Sequence, residues 1–382
     1  MPFTAASFGR KLASLRVDFA QDLAAISSSS GIPTERLSAL EAGVEEPTGD
    51  EVLILADCFR KDFRFFLTDD AQDPDAGVEL LFRERGDVLS TSDRIAIAEF
   101  VYLCRSQAAL EHDLGVVPAA HGFVFHPRGS YFVRHGEQCA QALRDHLRID
   151  RKQVLRDVFA AMREMGIKVF RRRLENSAIS GLYMNHPEAG ACVLVNLAEG
   201  LSRQRFSAAH EWGHGLMDQS PITMSMIGEW DSNTLLELRA NTFASRLLIP
   251  PALLQTVDRT KWSDPREVSA WAARLRVSVP ALLSALTAAR LIDSAQREAL
   301  RAAAPRPPDP PDPDLEGVSV PSQLNRKQAL LERGLSKNYV DLCFDAYSRG
   351  AISRGLLSEM LLTTPAETHE IATLFGRSFS RA

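Results

Sequence analysis

The feature that most restricts this chain is the pentapeptide His-Glu-Trp-Gly-His at positions 210–214. On an α-helix, side chains four residues apart project from the same face, so His210 and His214 can offer two imidazole nitrogens to one ion. Zinc takes nitrogen, oxygen and sulfur ligands in a tetrahedron, and a catalytic site keeps one position for water. Glu211 would then act as general base on that water. The pattern alone equally fits an ordinary helix with two hydrogen-bonded histidines, so a third ligand is the test.

That third ligand is expected from a following helix, which the sequence ELRANTFASRLLIP (237–250) predicts. Its apolar side chains recur at helical spacing and are Leu236, Ala240, Phe243 and Leu247, whereas Arg239 and Arg246 are expected to point elsewhere. Glu237 lies beside this stripe. Asn241 follows one turn later and could hydrogen-bond a metal ligand. Taken alone, Glu237 also fits a solvated helix residue.

Composition indicates a globular chain with two or three domains, since 382 residues are 45% apolar and 24% charged. No apolar run approaches the roughly 20 residues that cross a bilayer, and the first residues lack the layout of a signal peptide. The five cysteines are scattered, without a CxxC pair. This usage favours a reducing cytoplasm and argues against a cysteine-based metal site. We therefore expect a cytoplasmic protein without a membrane partner.

Apolar periodicity predicts helices over three long stretches, which are residues 8–67, 78–165 and 322–377. The run SSSSG (27–31) is expected to separate two of the first helices. Two runs, GIKVFRRR and ACVLVNL, read as strands. Segments 69–77 and 301–317 predict a hinge and an extended, semi-rigid, proline-rich linker. The predicted fold class is mainly α with a small β-sheet (α+β).

The arginines at 171–173 follow the first predicted strand. A solvated strand edge is the expected environment for such a run, and attraction of nucleic acid is the alternative.

The sequences RQRFSAAHEWGHGLM and ELRANTFASRLLIP resemble the ImmA/IrrE family of metallopeptidases. The family pattern has a strand that ends in Asn, an Arg-Phe pair before HExxH, and then ExxAxxFAxxLLxP. Here the strand ends at Asn196 and the pair is Arg205 and Phe206. The resemblance covers roughly residues 140–295 and implies a zincin-like peptidase domain at 141–295.

The same resemblance implies one zinc ion per chain, held by His210, His214 and Glu237, with Glu211 as general base. Tyr183 is a candidate for stabilising the transition state by its position only. Peptidases of this architecture hold substrate along an exposed strand beside the metal helix. The segment Ala191–Asn196 is predicted to do this by strand addition.

The N-terminal segment containing FAQDLAAI and LSALEAG resembles the XRE/Cro helix-turn-helix family. The resemblance implies a helix-turn-helix bundle at residues 1–70, with Thr34, Arg36 and Ser38 as possible DNA contacts. Yet these seventy residues carry seven Lys/Arg against twelve Asp/Glu, and the remaining chain has 37 of each. Because phosphate binding depends on cations, the segment could bind DNA or could serve dimerisation or partner docking.

Outside these two domains we predict a helical connector at 78–140, a proline-rich linker at 301–320 and a helical C-terminal region at 321–382.

The first functional hypothesis is a zinc endopeptidase coupled to transcriptional regulation, which cleaves a helix-turn-helix repressor in a stress or DNA-damage response. DNA and a second copy of the chain, in a homodimer, are further possible partners. The alternative is a helix-turn-helix regulator or antitoxin whose peptidase-like domain is only a sensor. Hydrolysis of a small molecule ranks last.

Overall fold

The computed structural model describes residues 3–68, 74–120, 122–127, 129, 131–218, 220–226, 235–318 and 320–379. The chain divides into two compact units. The N-terminal unit comprises Met1–Arg105, Leu174–Asn176 and His186–Glu188, and the second unit comprises Ser106–Arg173, Ser177–Asn185 and Ala189–Ala382. Residues 69–73 of the predicted hinge lie outside the described residues. Within the described ranges, every helix is too short or too polar to cross a bilayer.

In the described part of the first 113 residues, all regular elements are helices. They are α1 (Ala5–Asp18), α2 (Leu23–Ser30), α3 (Thr34–Glu41), α4 (Gly49–Cys58), α5 (Arg64–Leu67), α6 (Ala76–Glu84) and α7 (Thr91–Asp113). The core of the N-terminal unit consists of apolar side chains at helical spacing, among them the fully buried Phe8, Leu12, Leu15, Ile26, Leu37 and Leu40. Apart from α7, with 23 residues, these helices have 14 residues or fewer, so packing of the apolar faces supplies most of their stability.

The serine run does not interrupt the helices as predicted, because Ser27–Ser30 form the last turn of α2. Asp22 caps the start of this helix by accepting a hydrogen bond from the Ala25 amide at 2.7 Å. Gly31 ends it in the left-handed conformation, with φ of 74°. Serine is only mildly unfavourable in a helix, and burial of Ile26 outweighs that preference. A turn of three residues, 31–33, then leads into α3.

The second unit combines helices with one small sheet. Its further elements are α8 (Phe132–His146), α9 (Val158–Glu164), β1 (Lys168–Arg172), β2 (Ile179–His186), β3 (Gly190–Asn196), α10 (Leu201–Met217), β4 (Ile222–Met226), α11 (Leu235–Leu248), α12 (Pro251–Leu254), α13 (Pro265–Leu275), α14 (Val279–Ala288), α15 (Ser294–Ala303), α16 (Pro321–Glu332), α17 (Lys337–Ser348), α18 (Arg354–Met360) and α19 (Pro365–Leu374). The predicted fold class, mainly α with a small β-sheet, is confirmed.

The sheet has the order β1-β3-β2-β4, with β1 parallel to β3 and β4 antiparallel to β2. The strand predicted to add a substrate peptide, Ala191–Asn196, lies in β3 and is paired on both sides. The prediction of strand addition there was therefore wrong. An uninterrupted apolar run such as CVLV is typical of a central strand, and residues 192–196 are all buried. The edge strands are β1 and β4.

The arginine run at the end of β1 is not a solvated edge, because Arg171 and Arg172 are only 3% and 5% exposed. The Arg171 guanidinium donates two hydrogen bonds to Asp312, at 2.8 and 2.6 Å, and also contacts Asp314. Both aspartates belong to the predicted proline-rich linker, whose first residues are still part of α15. Residues 305–312 form neither helix nor strand, and Asp312 and Asp314 bind the segment to the sheet.

The C-terminal helices pack on the same strand. The ring of Phe170 in β1 lies edge-on to Tyr339 of α17 at 5.3 Å between centroids. The backbone amide of Arg173 donates to the Glu332 carbonyl at the end of α16, at 3.0 Å. The C-terminal helices are therefore part of the second unit.

His186 is the last residue of β2 and is buried. Its Nε2 lies 3.0 Å from Asp75 Oδ1 within the N-terminal unit. Lys61 and Arg105 also contact this carboxylate. Burial raises the pKa of Asp75, but hydrogen bonding to His186 and the two cations outweigh burial and lower the pKa to about 2.

Candidate metal centre

The HEWGH sequence lies in the second half of α10, and α11 packs closely against it. Gly213 makes this approach possible. A Cβ on Gly213 would come within 3.0 Å of the Phe243 ring and 3.3 Å of Ala240 Cα, both on α11. Ala240 and Phe243 are fully buried in this contact. The glycine of the motif therefore brings the first turn of α11, with Glu237, next to the two histidines.

The structure brings the three predicted ligands together. Glu237 Oε2 lies 3.2 Å from His210 Nε2, and Glu237 Oε1 lies 3.3 Å from His214 Nε2. The two Nε2 atoms are 2.9 Å apart. In the described part of the chain, these three residues form the one group of histidine, cysteine and carboxylate side chains whose ligand atoms could share a metal ion.

The other ring nitrogen of each histidine faces an oxygen. His210 Nδ1 lies 3.0 Å from Asn241 Oδ1, the partner predicted from sequence. His214 Nδ1 lies 2.6 Å from Asp218 Oδ2. Because these oxygens accept, each Nδ1 donates, and in the neutral form of either ring Nε2 keeps the lone pair that a metal ligand needs.

These donors fit a divalent cation. Two imidazole nitrogens and a carboxylate that converge in this way repel one another unless a proton or a metal ion lies between them. The pKa values of these side chains reflect the same need for positive charge. Burial lowers the pKa of His214, but hydrogen bonds to Asp218 and Glu237 outweigh it and raise the pKa to about 10. Burial raises the pKa of Glu237, but the two histidines lower it to about 2. A set of two nitrogens and one carboxylate is typical of zinc sites that keep a position for water.

Glu211 lies beside this group without joining it. It is fully buried, and neither carboxylate oxygen accepts a hydrogen bond from the described residues. Burial raises its pKa, and the charges of His210 and His214 oppose the shift. Gly181 in β2 provides the room, since a Cβ there would lie 3.0 Å from Glu211 Cγ. A buried carboxylate without a hydrogen-bond partner is costly for stability, which is a common feature of catalytic groups.

Tyr183 lies in β2 and is 7% exposed. Its ring packs on Gly215 of α10, where a Cβ would overlap the ring. Burial raises the pKa of its hydroxyl. These are packing contacts, and its part in transition-state stabilisation stays a prediction.

Sequence reasoning missed two residues of the site, Asp218 and Arg239. Asp218 follows His214 by four residues, the spacing that already linked the two histidines, so this signal was present. Arg239 was expected to point away, yet it is 6% exposed and pairs with Asp218. Leu236, predicted to lie in the apolar stripe, is instead 45% exposed.

The possible DNA contacts lie on α3 of the N-terminal unit. Thr34 and Ser38 are exposed. The guanidinium of Arg36 donates two hydrogen bonds of 2.8 Å to Glu51, and it also contacts Glu45. The hydrogen bond to Glu51 raises the pKa of Arg36, and in turn lowers the pKa of Glu51 to about 2. A DNA phosphate would have to compete with these carboxylates.

A helix with two histidines faces a glutamate on the next helix, beside a small mixed sheet. This arrangement is expected of a metallopeptidase domain. Residues 162–287 match the family model described as Peptidase_M78, the IrrE N-terminal-like domain. The match covers about a third of the chain and contains the whole candidate metal centre. The second unit thus carries a domain similar to those of M78 peptidases. No curated protein and no solved structure shows a significant match to the chain.

Proposed function

We propose that this chain is a zinc-dependent endopeptidase that acts in transcriptional regulation. The observation that carries the proposal is the convergence of His210, His214 and Glu237 beside the buried carboxylate of Glu211, whose oxygens accept no hydrogen bond from the described residues. The M78 domain match supports a peptidase. A site that only sensed metal would have no use for Glu211, because burying a carboxylate without a partner destabilises the fold.

Each residue has a definable part in peptide hydrolysis. His210, His214 and Glu237 would hold the ion, which supplies Lewis acidity and lowers the pKa of water in the site. A carboxylate oxygen of Glu211 would take a proton from the attacking water and pass it to the departing nitrogen. Burial raises the pKa of Glu211 towards neutral pH. A group that both takes and gives a proton works best when its pKa lies near the working pH.

The substrate chain is expected to lie along β4, since β3 is paired on both sides. Among the described strands β4 has one neighbour, β2, and the hydroxyl of Ser225 in β4 lies close enough to lower the pKa of Glu211. An extended peptide could therefore pair with β4 and pass the carboxylate.

The regulatory part of the proposal rests on the combination of this domain with N-terminal helices that resemble a helix-turn-helix. A repressor of the same class is the proposed substrate, reached through pairing of related domains or on shared DNA. A homodimer through the N-terminal unit would use the same pairing. Cleavage of such a repressor would relieve repression in a stress or DNA-damage response.

Glu211→Gln tests the enzymatic proposal. The full chain and the variant, both loaded with zinc, are added to an extract of the source cells, and newly formed protein N-termini are identified by mass spectrometry. We expect one zinc ion per chain in both proteins and new termini only with the unchanged chain. Glu137→Gln, a variant at a distant and partly exposed carboxylate, serves as the control. Identical termini from the unchanged chain and Glu211→Gln would refute the peptidase and favour the sensor hypothesis.

A further inference from the structure

We propose that Asp218 and Arg239 form a positioning ion pair, which holds His214 and Glu237 at ligating distance before a metal ion binds. This inference rests on the metal site of the proposed function, but it does not require that the chain cleaves proteins. It concerns two residues that the sequence motifs do not include.

The pair connects the two helices that carry the ligands. Asp218 is the C-cap residue that directly follows α10, and its Oδ2 accepts the Nδ1 hydrogen of His214 at 2.6 Å. Its other oxygen, Oδ1, accepts a hydrogen bond from Nη2 of Arg239. Arg239 lies in α11, two residues after Glu237. One carboxylate therefore bridges a ligand on α10 and the helix that bears the third ligand.

Burial and packing fix the position of this bridge. The side chains of Asp218 and Arg239 are 6% and 7% exposed, so the pair is shielded from water and salt. The Arg239 guanidinium lies over the Phe132 ring of α8 at 5.0 Å. Close packing of Gly136 in α8, where a Cβ would fall 2.5 Å from the Arg239 carbonyl oxygen, holds the same turn of α11.

The two histidines differ in their outer partners, and the difference matters for metal binding. His210 faces the neutral amide of Asn241, whereas His214 faces a carboxylate. An anionic acceptor makes the stronger hydrogen bond and increases the electron density at Nε2, so His214 becomes the better donor to a cation.

Arg239 also balances charge. The carboxylates of Glu211, Glu237 and Asp218 carry three formal negative charges when ionised, and Arg239 cancels one. The two that remain are those that a divalent cation neutralises. Without the guanidinium the site would hold an uncompensated buried charge, which is unfavourable.

Zinc affinity is the direct test, measured on the full chain by competition with a chromophoric chelator. We expect Asp218→Asn to weaken zinc binding by about 10- to 100-fold, the usual effect of removing such a partner. Arg239→Met should weaken it less, and the double variant should lose no more than Asp218→Asn, because Arg239 acts through Asp218. The control is Glu137→Gln, which breaks the ion pair of Arg246 two turns further along α11 and should leave zinc affinity unchanged.

A second readout separates positioning from general stability. Cobalt substituted for zinc reports ligand geometry in its visible absorption spectrum, and we expect this spectrum to change in Asp218→Asn and Arg239→Met but not in Glu137→Gln. Arg239→Met keeps the carboxylate in place, so it serves if Asp218→Asn does not fold. Zinc affinity and a cobalt spectrum equal to those of the unchanged chain in both variants would overturn the proposal. So would an unchanged chain that binds no zinc, whereas zinc binding without proteolysis would refute only the peptidase.

Discussion

The candidate metal centre and the α3 surface of the N-terminal unit differ in how their polar groups are satisfied. Both were predicted from sequence as functional sites. At the metal centre, two imidazoles and a carboxylate bring their ligand atoms within 3.3 Å of one another, and the oxygens of the buried Glu211 accept no hydrogen bond from the described residues. On α3, the one arginine is bound by carboxylates of its own unit.

A ligand would gain more binding free energy at the metal centre than at α3. A cation that enters the metal centre meets donors whose desolvation is already part of the folded state. A phosphate that approaches Arg36 must first displace Glu51 and Glu45. We infer that the clusters outside the metal centre whose charges are paired, here called saturated clusters, stabilise the fold, and that the metal centre binds a ligand. Changes in saturated clusters should therefore alter stability and, unlike changes at Asp218 or Arg239, leave zinc affinity unchanged.

The largest expected effect is at Arg171. Asp312→Asn with Asp314→Asn leaves this 3% exposed guanidinium without a carboxylate, and breaking a buried pair in this way costs about 3 kcal/mol or more. We expect urea unfolding of the second unit to shift accordingly, with zinc affinity unchanged.

Asp309→Asn provides the matched control in the same proline-rich segment. Asp309 is 62% exposed and pairs at 3.4 Å with Arg306, which is 80% exposed, so its replacement should change stability little. If the double variant unfolds at the same urea concentration as Asp309→Asn, the segment is a spacer after all.

The geometry of the candidate metal centre could be predicted because the sequence signals for it are local. Residues 210 and 214 share a helix face by spacing alone, and Glu237 follows from the resemblance to ExxAxxFAxxLLxP. The fold class also follows from local periodicity. What sequence could not supply were contacts between distant segments.

Arg171 shows why. Its partner Asp312 lies 141 residues further along the chain, and no periodicity connects the two, so three arginines after a strand suggested only a solvated edge. Arg239 could be assigned to Asp218 only once the approach of α11 to α10 was known. The position of β3 was the exception, since its uninterrupted apolar run already favoured a central strand over an edge.

A somewhat smaller effect is expected at Asp75, a saturated carboxylate of the N-terminal unit. Its pKa falls from 3.8 to about 2 on folding, which corresponds to about 2.5 kcal/mol of stability at neutral pH. Because the folded pKa is the lower one, this contribution is complete well above pH 3.8 and disappears as pH falls through about 2.

Asp75→Asn should lose this stability at pH 7 and differ little from the unchanged chain near pH 2, measured by denaturant unfolding across that range. A deficit that is the same at both pH values would assign the effect to packing and not to charge. Zinc affinity should again stay constant.

The smallest effect is expected at Arg36, and it decides whether α3 belongs with the saturated clusters. We expect Arg36→Ala to change the affinity of the full chain for a 30-base-pair duplex by less than about threefold, because Glu51 and Glu45 already occupy the guanidinium. A phosphate contact would behave differently, since its loss weakens binding to all sequences and reduces the salt dependence by about one ion.

Arg10→Ala, at an exposed position on α1, is the control for a general loss of positive charge. Absence of duplex binding by the unchanged chain at 50 mM salt would agree with saturation. A drop of tenfold or more in Arg36→Ala alone, with the reduced salt slope, would show that DNA can displace the carboxylates and that saturation does not separate the two regions.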